Sequence, residues 1–189
     1  RWLWNFWTGK WTVLLNQDTS KLNAAKEAVK LVKNGMIVGL GTGSTAKIAV
    51  DLLGERLSND FQIVGMPTSI KTKNQADSLG INLIGIDDAE TIDIAIDGAD
   101  EVSPDLSLIK GLGGALLREK KVEKKAKELI IIVDESKIVE KLGVGFLPIE
   151  VSIENHEQTK KEISELGCLA ELRVEEDTMP FVTDNKNYI

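Results

Sequence analysis

A chain of 189 residues, 42% hydrophobic and 28% charged, suits one globular domain with a small appendage and carries enough apolar material for a core. Its formal net charge of −7 argues against non-specific nucleic-acid binding, which needs basic patches, and no apolar run reaches the roughly 18 residues that a membrane helix requires. One cysteine, Cys168, and one histidine, His156, exclude an internal disulfide, a Cys-x-x-Cys pair and a His-rich metal site, and fit a reducing, cytosol-like compartment.

All four tryptophans, Trp2, Trp4, Trp7 and Trp11, fall in the first 17 residues. This start lacks the apolar core and small-residue cleavage site of a signal peptide and the Ser/Arg richness of a transit peptide. A membrane-surface or partner anchor is one reading. A misassigned start, or an extension without a role, is the simpler one and is preferred.

From Asp18 the pattern becomes regular. Asp18, Thr19 or Ser20 can cap a helix whose Leu22, Ala25, Val29 and Val32 recur at 3-4-3 spacing, and Asn34-Gly35 stops it. Residues 36–40 read as a strand running into Gly41-Thr42-Gly43-Ser44-Thr45, with a helix over 44–57 to follow. Strands are expected at 62–65, 82–84, 91–97 and 129–133, and helices at 69–79, capped by Thr68 or Ser69, and at 115–127. Strands alternating with helices over short connections predict an α/β fold: a Rossmann-like parallel sheet with helices on both faces. In such sheets ligands bind beyond the carboxyl ends of the strands, where every polar cluster of this chain falls. After Pro148 the texture changes: a strand at 149–153, a helix at 156–166, a strand at 169–174 and a hairpin over 181–189 suggest a smaller, incomplete α+β domain. The expected division is an extension over 1–17, an α/β catalytic domain over 18–147 and a partial domain over 148–189. Tyr188-Ile189, in mid-strand, is expected to leave an unpaired edge.

The stretch from Asp93 to Glu119 carries the densest chemistry. Ile92, Ile94 and Ile96 drive into Asp97, Asp100 and Glu101; a turn at Ser103-Pro104-Asp105 and a second apolar run lead to Lys110; and Gly111, Gly113 and Gly114 open into a helix carrying Arg118 and Glu119. Acids at the end of a buried strand are costly unless paired or used, and a lysine and a glycine corner arrive to meet them. A solvated turn is the simpler reading for Asp100 and Glu101 alone, and an exposed helix face for Glu119. Asp97 with Asp100 could instead hold Mg²⁺, although Lys110 would compete for the same carboxylates. In Gly39–Thr45 the glycines would let backbone amides approach an anion, the helix N-terminus adds positive potential, and Thr42, Ser44 and Thr45 supply hydroxyl donors. Gly41-x-Gly43-x-x-Ala46 nearly fits a dinucleotide fingerprint, but the next strand ends in Gly65-Met66-Pro67-Thr68-Ser69 with no acid for a ribose hydroxyl, and no Walker lysine is present. A tight glycine turn with ordinary capping competes. Lys137 follows a buried strand and shares Glu119's ambiguity, while His156 and Cys168 read as structural. The residues alone support a phosphate-bearing small molecule handled by acids and a lysine, without choosing the reaction.

GLGTGSTA from Gly39, TSIKTKNQA from Thr68, DGADEVSPDLSLIKG from Asp97, GGALLREK from Gly113, IIVDESK from Ile131 and FVTDN from Phe181 together resemble ribose-5-phosphate isomerase A, with a plant and cyanobacterial flavour, over residues 17–189. The resemblance implies interconversion of ribose 5-phosphate and ribulose 5-phosphate through an enediolate, without metal or organic cofactor. It implies Glu119 as general base, with Asp97, Asp100 and Lys110 holding sugar hydroxyls, assisting ring opening and stabilising the oxyanion. Gly98, Ala99, Gly111, Leu112 and Gly113 would shape the site, and Thr42, Gly43, Ser44 and Thr45 would hold the phosphate with Lys137 and Lys21. It further implies a homodimer or homotetramer, a cytoplasmic or plastid location, no nucleic-acid or membrane partner, and additional residues after Ile189 that complete the second domain. Leu112 stands where the family has glycine or arginine, and Lys186 where a small residue is usual. A non-catalytic sugar-phosphate sensor or an inactive fragment is the alternative; retention of Glu119 with Asp97, Asp100 and Lys110 favours the enzyme.

Overall fold

The computed structural model describes residues 17–176 and 178–189, so the reading of the tryptophan-rich start lies outside the described residues. Among the described residues seven strands form in chain order: β1 (Ile37–Leu40), β2 (Val64–Pro67), β3 (Asn82–Leu83), β4 (Ile92–Asp97), β5 (Glu101–Val102), β6 (Leu108–Ile109) and β7 (Ala126–Ile131). Five of them make the expected sheet, in the order β3-β2-β1-β4-β7 with every pairing parallel, while β5 and β6 form a separate antiparallel hairpin. Three helices, α1 (Gln17–Lys30), α2 (Ser44–Arg56) and α3 (Ile70–Ser78), share one apolar cluster with Val38, Leu40, Ile94 and Ile96. On the other face α4 (Leu116–Glu123) packs Val122 against Met66, Ile92 and Ala95. Full burial of such side chains contributes about 1.5–3 kcal/mol each. Gly39 sets how close α4 can come: a Cβ there would lie 2.8 Å from both Ala95 Cβ and Val122 Cγ1.

Local chemistry explains most element ends. Ser69 caps α3 by accepting from Thr72 N, as expected. At the far end of α1 the Arg56 guanidinium, stacked 4.0 Å over the Phe61 ring, donates to the carbonyls of Val29 and Val32. Asp18, Thr19 and Ser20 lie inside α1 rather than capping it. β2 runs over 64–67, two residues later than predicted, because Gln62 is spent on tying down the end of α1: its carbonyl accepts from Gly35 N and its N–H donates to Asn34 Oδ1.

The larger corrections fall where charge masks a strand. α4 stops at Glu123 instead of 127, since Ile92 N draws the carbonyl of Lys125 into the ladder and Ala126 pairs with Ile92. β7 is an edge strand with Lys127 and Glu128 exposed, so its polar residues look helical in sequence. Beyond Pro148 the predicted strands at 149–153 and 169–174 shrink to single bridges, Val151 to Tyr188 and Val174 to Pro180, and a 3₁₀ turn at Ile153–Asn155 leads into α5 (His156–Glu165). The 183–187 turn forms, with Lys186 at φ 59°, a left-handed conformation that glycine adopts without strain. The edge expected to be unpaired is paired: Tyr188 exchanges both backbone bonds with Val151, and the Ile189 carbonyl accepts from Arg173 N.

This last segment braces the sheet's carboxyl end. One Glu150 oxygen accepts from Leu117 N at the start of α4, and the other from Thr183 Oγ1, Asn185 Nδ2 and Asn187 Nδ2. Asp184 accepts from Ile70 N, Arg173 Nη1 donates to the Leu112 carbonyl, and the Phe181 ring lies against Gly114, where a Cβ would come within 2.6 Å. His156 sets its ring edge-to-face on Tyr188, a structural use.

Candidate active site

β4 delivers Asp97 to the carboxyl edge of the sheet with 1% exposure. The β5–β6 hairpin, closed by Ser103 and Asp105 side chains in its turn, sends the chain out and back so that Lys110 returns beside the end of β4. The 111–114 corner, with Gly111 at φ 107° and Gly114 at φ 83°, then turns into α4 and swings Glu119 to the same point. Asp100 ties hairpin to corner: its N–H donates to the Ile109 carbonyl and its Oδ2 accepts from Leu112 N at 2.9 Å.

Lys110 sits at the centre. Its ammonium donates to the Gly98 carbonyl and lies 3.4 Å from Asp97 Oδ2, 3.4 Å from Glu119 Oε2 and 3.2 Å from Glu123 Oε1. Burial works to discharge this lysine, but Asp97, Glu119 and Glu123 outweigh it and hold the ammonium's pKa above its ordinary value. One cation cannot neutralise three acids. Burial, and then the like charges of Glu119 and Glu123, push Asp97 up to about 8 despite the Lys110 charge and the Gly98 N–H. Burial likewise raises Glu119, with Glu123 and Asp100 adding to it against Lys110. Burial and like charge thus raise both Asp97 and Glu119 above the ordinary carboxylate range, as suits a site that moves protons.

The Gly41–Thr45 loop joins this cluster directly. Asp97 Oδ1 accepts from Thr42 N at 3.0 Å and Gly98 N at 2.7 Å. A Cβ on Gly41 would fall 2.3 Å from Asp97 Oδ1 and 2.5 Å from the Ile96 carbonyl, so this glycine exists to seat a carboxylate rather than to admit an anion. Thr42 is also committed. Its hydroxyl donates to Ser69 Oγ, Ser69 donates to Thr72 Oγ1, and Thr72 donates to the Gly41 carbonyl, all within 2.8–3.0 Å. It lies 2.7 Å from Thr68 Oγ1 as well. Thr42 thus lines the cleft and also braces the loop, its hydroxyl already engaged with Thr68, Ser69 and Thr72. Beyond it Gly43, at φ 124° with open space where a Cβ would stand, begins α2 with no side-chain cap, which leaves the first-turn N–H groups for a ligand.

A cleft of about 160 Å³ connects these features. Of the predicted residues, Thr42, Gly43, Ser44, Thr45, Gly98, Ala99, Asp100, Lys110, Gly111, Gly113, Glu119 and Lys137 line it. Three do not. Asp97 lies beneath the floor, and Leu112 turns its side chain to solvent, so its bulk does not crowd the corner. Lys21 stands on α1, and its charge and that of Lys137, in the 3₁₀ turn Glu135–Lys137, act on Asp134. Burial raises that carboxyl, yet the Ser136 hydroxyl and N–H hold it below the ordinary value. Glu101 proves buried rather than a solvated acid: its carboxylate gathers the N–H groups of Gly143, Val144 and Gly145. Sequence reasoning missed Glu123, although its spacing of four from Glu119 puts both on one helix face. It also missed Ala46, Ile132 and Val133 on the wall, and Thr68, Ser69 and Thr72 under the loop. Among the described residues no group of three or more His, Cys, Asp or Glu side chains is arranged to hold a metal ion. None of the described helices is long and apolar enough to cross a membrane.

The family model described as ribose 5-phosphate isomerase A (phosphoriboisomerase A) matches residues 64–189. The chain is 50% identical over 186 residues to probable ribose-5-phosphate isomerase 3, chloroplastic, of Arabidopsis thaliana, covering 94% of this chain and 67% of that one. It is 48% identical over 179 residues to ribose-5-phosphate isomerase A of Synechococcus sp. (strain JA-3-3Ab), covering 93% and 78%. A solved D-ribose-5-phosphate isomerase in complex with phospho-erythronic acid superposes with a TM-score of 0.85 at 41% identity, over 92% of this chain and 78% of that one.

Proposed function

The chain belongs to the ribose 5-phosphate isomerase A family, and we propose how its own residues carry out that family's reaction. It is an isomerase that interconverts ribose 5-phosphate and ribulose 5-phosphate. Glu119 is the general base: as carboxylate it takes the proton from C2 of the open-chain aldose, and as acid it returns a proton to C1 of the enediolate. The Lys110 ammonium stabilises the oxyanion that forms on the neighbouring oxygen, and Asp100 holds a sugar hydroxyl. Asp97 acts from beneath, fixing Lys110 and the Thr42 and Gly98 N–H groups. The phosphate lies at the N-terminus of α2 against Ser44, Thr45 and Lys137, with Lys21 adding positive potential from behind. Holding that end of the substrate orients C1 and C2 against Glu119.

One observation carries the reading. A buried carboxylate of raised pKa and a lysine ammonium face one end of a cleft whose other end is an uncapped helix N-terminus. Residues 18–147 form the catalytic unit in this reading, and residues 148–189 a smaller unit that braces its corner. Assembly as a homodimer or homotetramer, checked by light scattering, and a reducing cytosolic or plastid compartment, suited to the free Cys168, complete the proposal.

The test is conversion of ribose 5-phosphate by the purified chain beside a Glu119→Gln variant. Loss of roughly 10²–10⁴-fold in turnover, with phospho-erythronic acid affinity kept in calorimetry, is the expected result. Near-normal turnover in the variant would sink the assignment of the base.

A further inference from the structure

The Lys110 ammonium has three N–H groups to give. One goes to the Gly98 carbonyl, which leaves two for three carboxylate oxygens at 3.2–3.4 Å. Those oxygens, Asp97 Oδ2, Glu119 Oε2 and Glu123 Oε1, are all buried and none has a full hydrogen-bond partner. Asp97 and Glu119 have roles in the mechanism. Glu123 has none: it does not line the cleft, so it cannot touch a substrate held there, yet it is the nearest of the three to the ammonium.

A third acid at this depth opposes stability, because one cation already serves two carboxylates. Its effect on the pair is specific. One turn beyond Glu119 on the same face of α4, it draws Lys110 away from Glu119 and adds a like charge beside it. We propose that Glu123 is a positioning residue of the isomerase, holding the Lys110 ammonium on the α4 side of the site floor so that Glu119 stays under-paired and basic. This rests on Glu119 being the base. Four charged groups face Glu119: Asp97 from β4, Asp100 from the turn after it, Lys110 from the end of the hairpin and Glu123 from α4 itself. Lys110 lowers the pKa of Glu119, while Glu123 and Asp100 add to the elevation that burial begins.

The sign is fixed by the role. Glu119 works deprotonated, so activity rises with pH through its raised pKa, and removing the Glu123 charge moves that rise to lower pH. The experiment measures kcat/KM for ribose 5-phosphate against pH, and titrates the Glu119 carboxyl directly by carbon NMR, in wild type, Glu123→Gln, Glu123→Asp and Glu119→Gln. In Glu123→Gln the acid limb and the Glu119 titration should both move down by about one pH unit. Plateau kcat should fall by roughly 3- to 10-fold as the base weakens, with KM within about twofold, and Glu123→Asp should restore most of the limb. A limb and titration unmoved in Glu123→Gln overturn the proposal, as does a fall in kcat without a pH shift. A Glu123→Gln variant that does not fold also overturns it, since relieving surplus buried negative charge should not unfold the chain. Full activity in Glu119→Gln would instead sink the base assignment, and the NMR titration would still report whether Glu123 and Glu119 are coupled.

Discussion

Replacing Lys110 with methionine keeps the volume and removes the cation on which three carboxylates converge. At 3.2–3.4 Å and an effective permittivity of roughly 20, each contact with an ionised carboxylate carries about 5 kcal/mol of gross Coulomb energy, most of it offset by the cost of burying the lysine. Proton uptake limits the damage. A carboxyl kept neutral costs about 1.4 kcal/mol for each pH unit above its ordinary value, here 3.8 for Asp97 and 4.5 for Glu119. Burial already pushes Asp97 up to about 8, so the added cost falls mainly on Glu119. Glu119, raised by burial, would rise further without the ammonium, so the native state binds more protons than the unfolded chain, and stability falls as pH rises through that window. Urea titrations of Lys110→Met against wild type should show a loss of about 3–5 kcal/mol at pH 7.5 that shrinks to about 1 kcal/mol at pH 5. Turnover should be lost at both. An equal loss at the two pH values, or none at pH 7.5, would refute Lys110 as the shared counter-charge.

Gly41→Ala would drive a Cβ into Asp97 Oδ1 and the Ile96 carbonyl, neither of which can yield, and should cost about 2–3 kcal/mol in a urea titration. Gly43→Ala meets open space and bears only its φ of 124°, so it should cost about 1–2 kcal/mol and raise KM more than it lowers stability. Equal stability losses in the two would remove the distinction between a glycine that seats a carboxylate and one that admits a ligand. Lys137→Ala should raise KM for ribose 5-phosphate by roughly 10-fold with kcat within about twofold, as expected of a charge at the phosphate end; an unchanged KM would take Lys137 out of the site.

Where one physical rule governed a residue, the sequence was readable. Ala25, Val29 and Val32 at helical spacing and the isoleucines before Asp97 answer to burial and lie in the core, while Leu22 at the start of the same spacing stays half-buried. Prediction failed where two rules competed. Lys127 and Glu128 have helical chemistry, but at an edge strand their polarity costs nothing, and pairing with β4 decides. Gly41 and Gly43 look alike in a glycine loop, and only the position of Asp97 separates their roles. Thr42 reads as a free hydroxyl until α3 brings Ser69 and Thr72 against it. Glu123 sat at the visible spacing of four from Glu119, and was passed over because Lys120, Lys121 and Lys124 beside it suggest an exposed face.

An acidic chain binding an anionic substrate is consistent because the two ends of its cleft are electrostatically distinct. At the α2 end the charges near the ligand are backbone N–H groups and Lys137, with Asp134 held by Ser136 and so turned from the cleft. At the other end three acids share one ammonium, and burial raises Asp97 and Glu119 despite it. The acids come from different elements: β4 brings Asp97 and α4 brings both glutamates, while the hairpin between them delivers the lysine. Such a cluster cannot form in a partly folded chain, where each acid would ionise alone in water. The strain of keeping it is therefore met by the whole fold, including the Glu150, Arg173 and Phe181 contacts that hold the corner closed. The raised basicity of Glu119 is in that sense produced by contacts with residues far along the chain, and loosening the 148–189 brace should lower turnover before it unfolds the sheet.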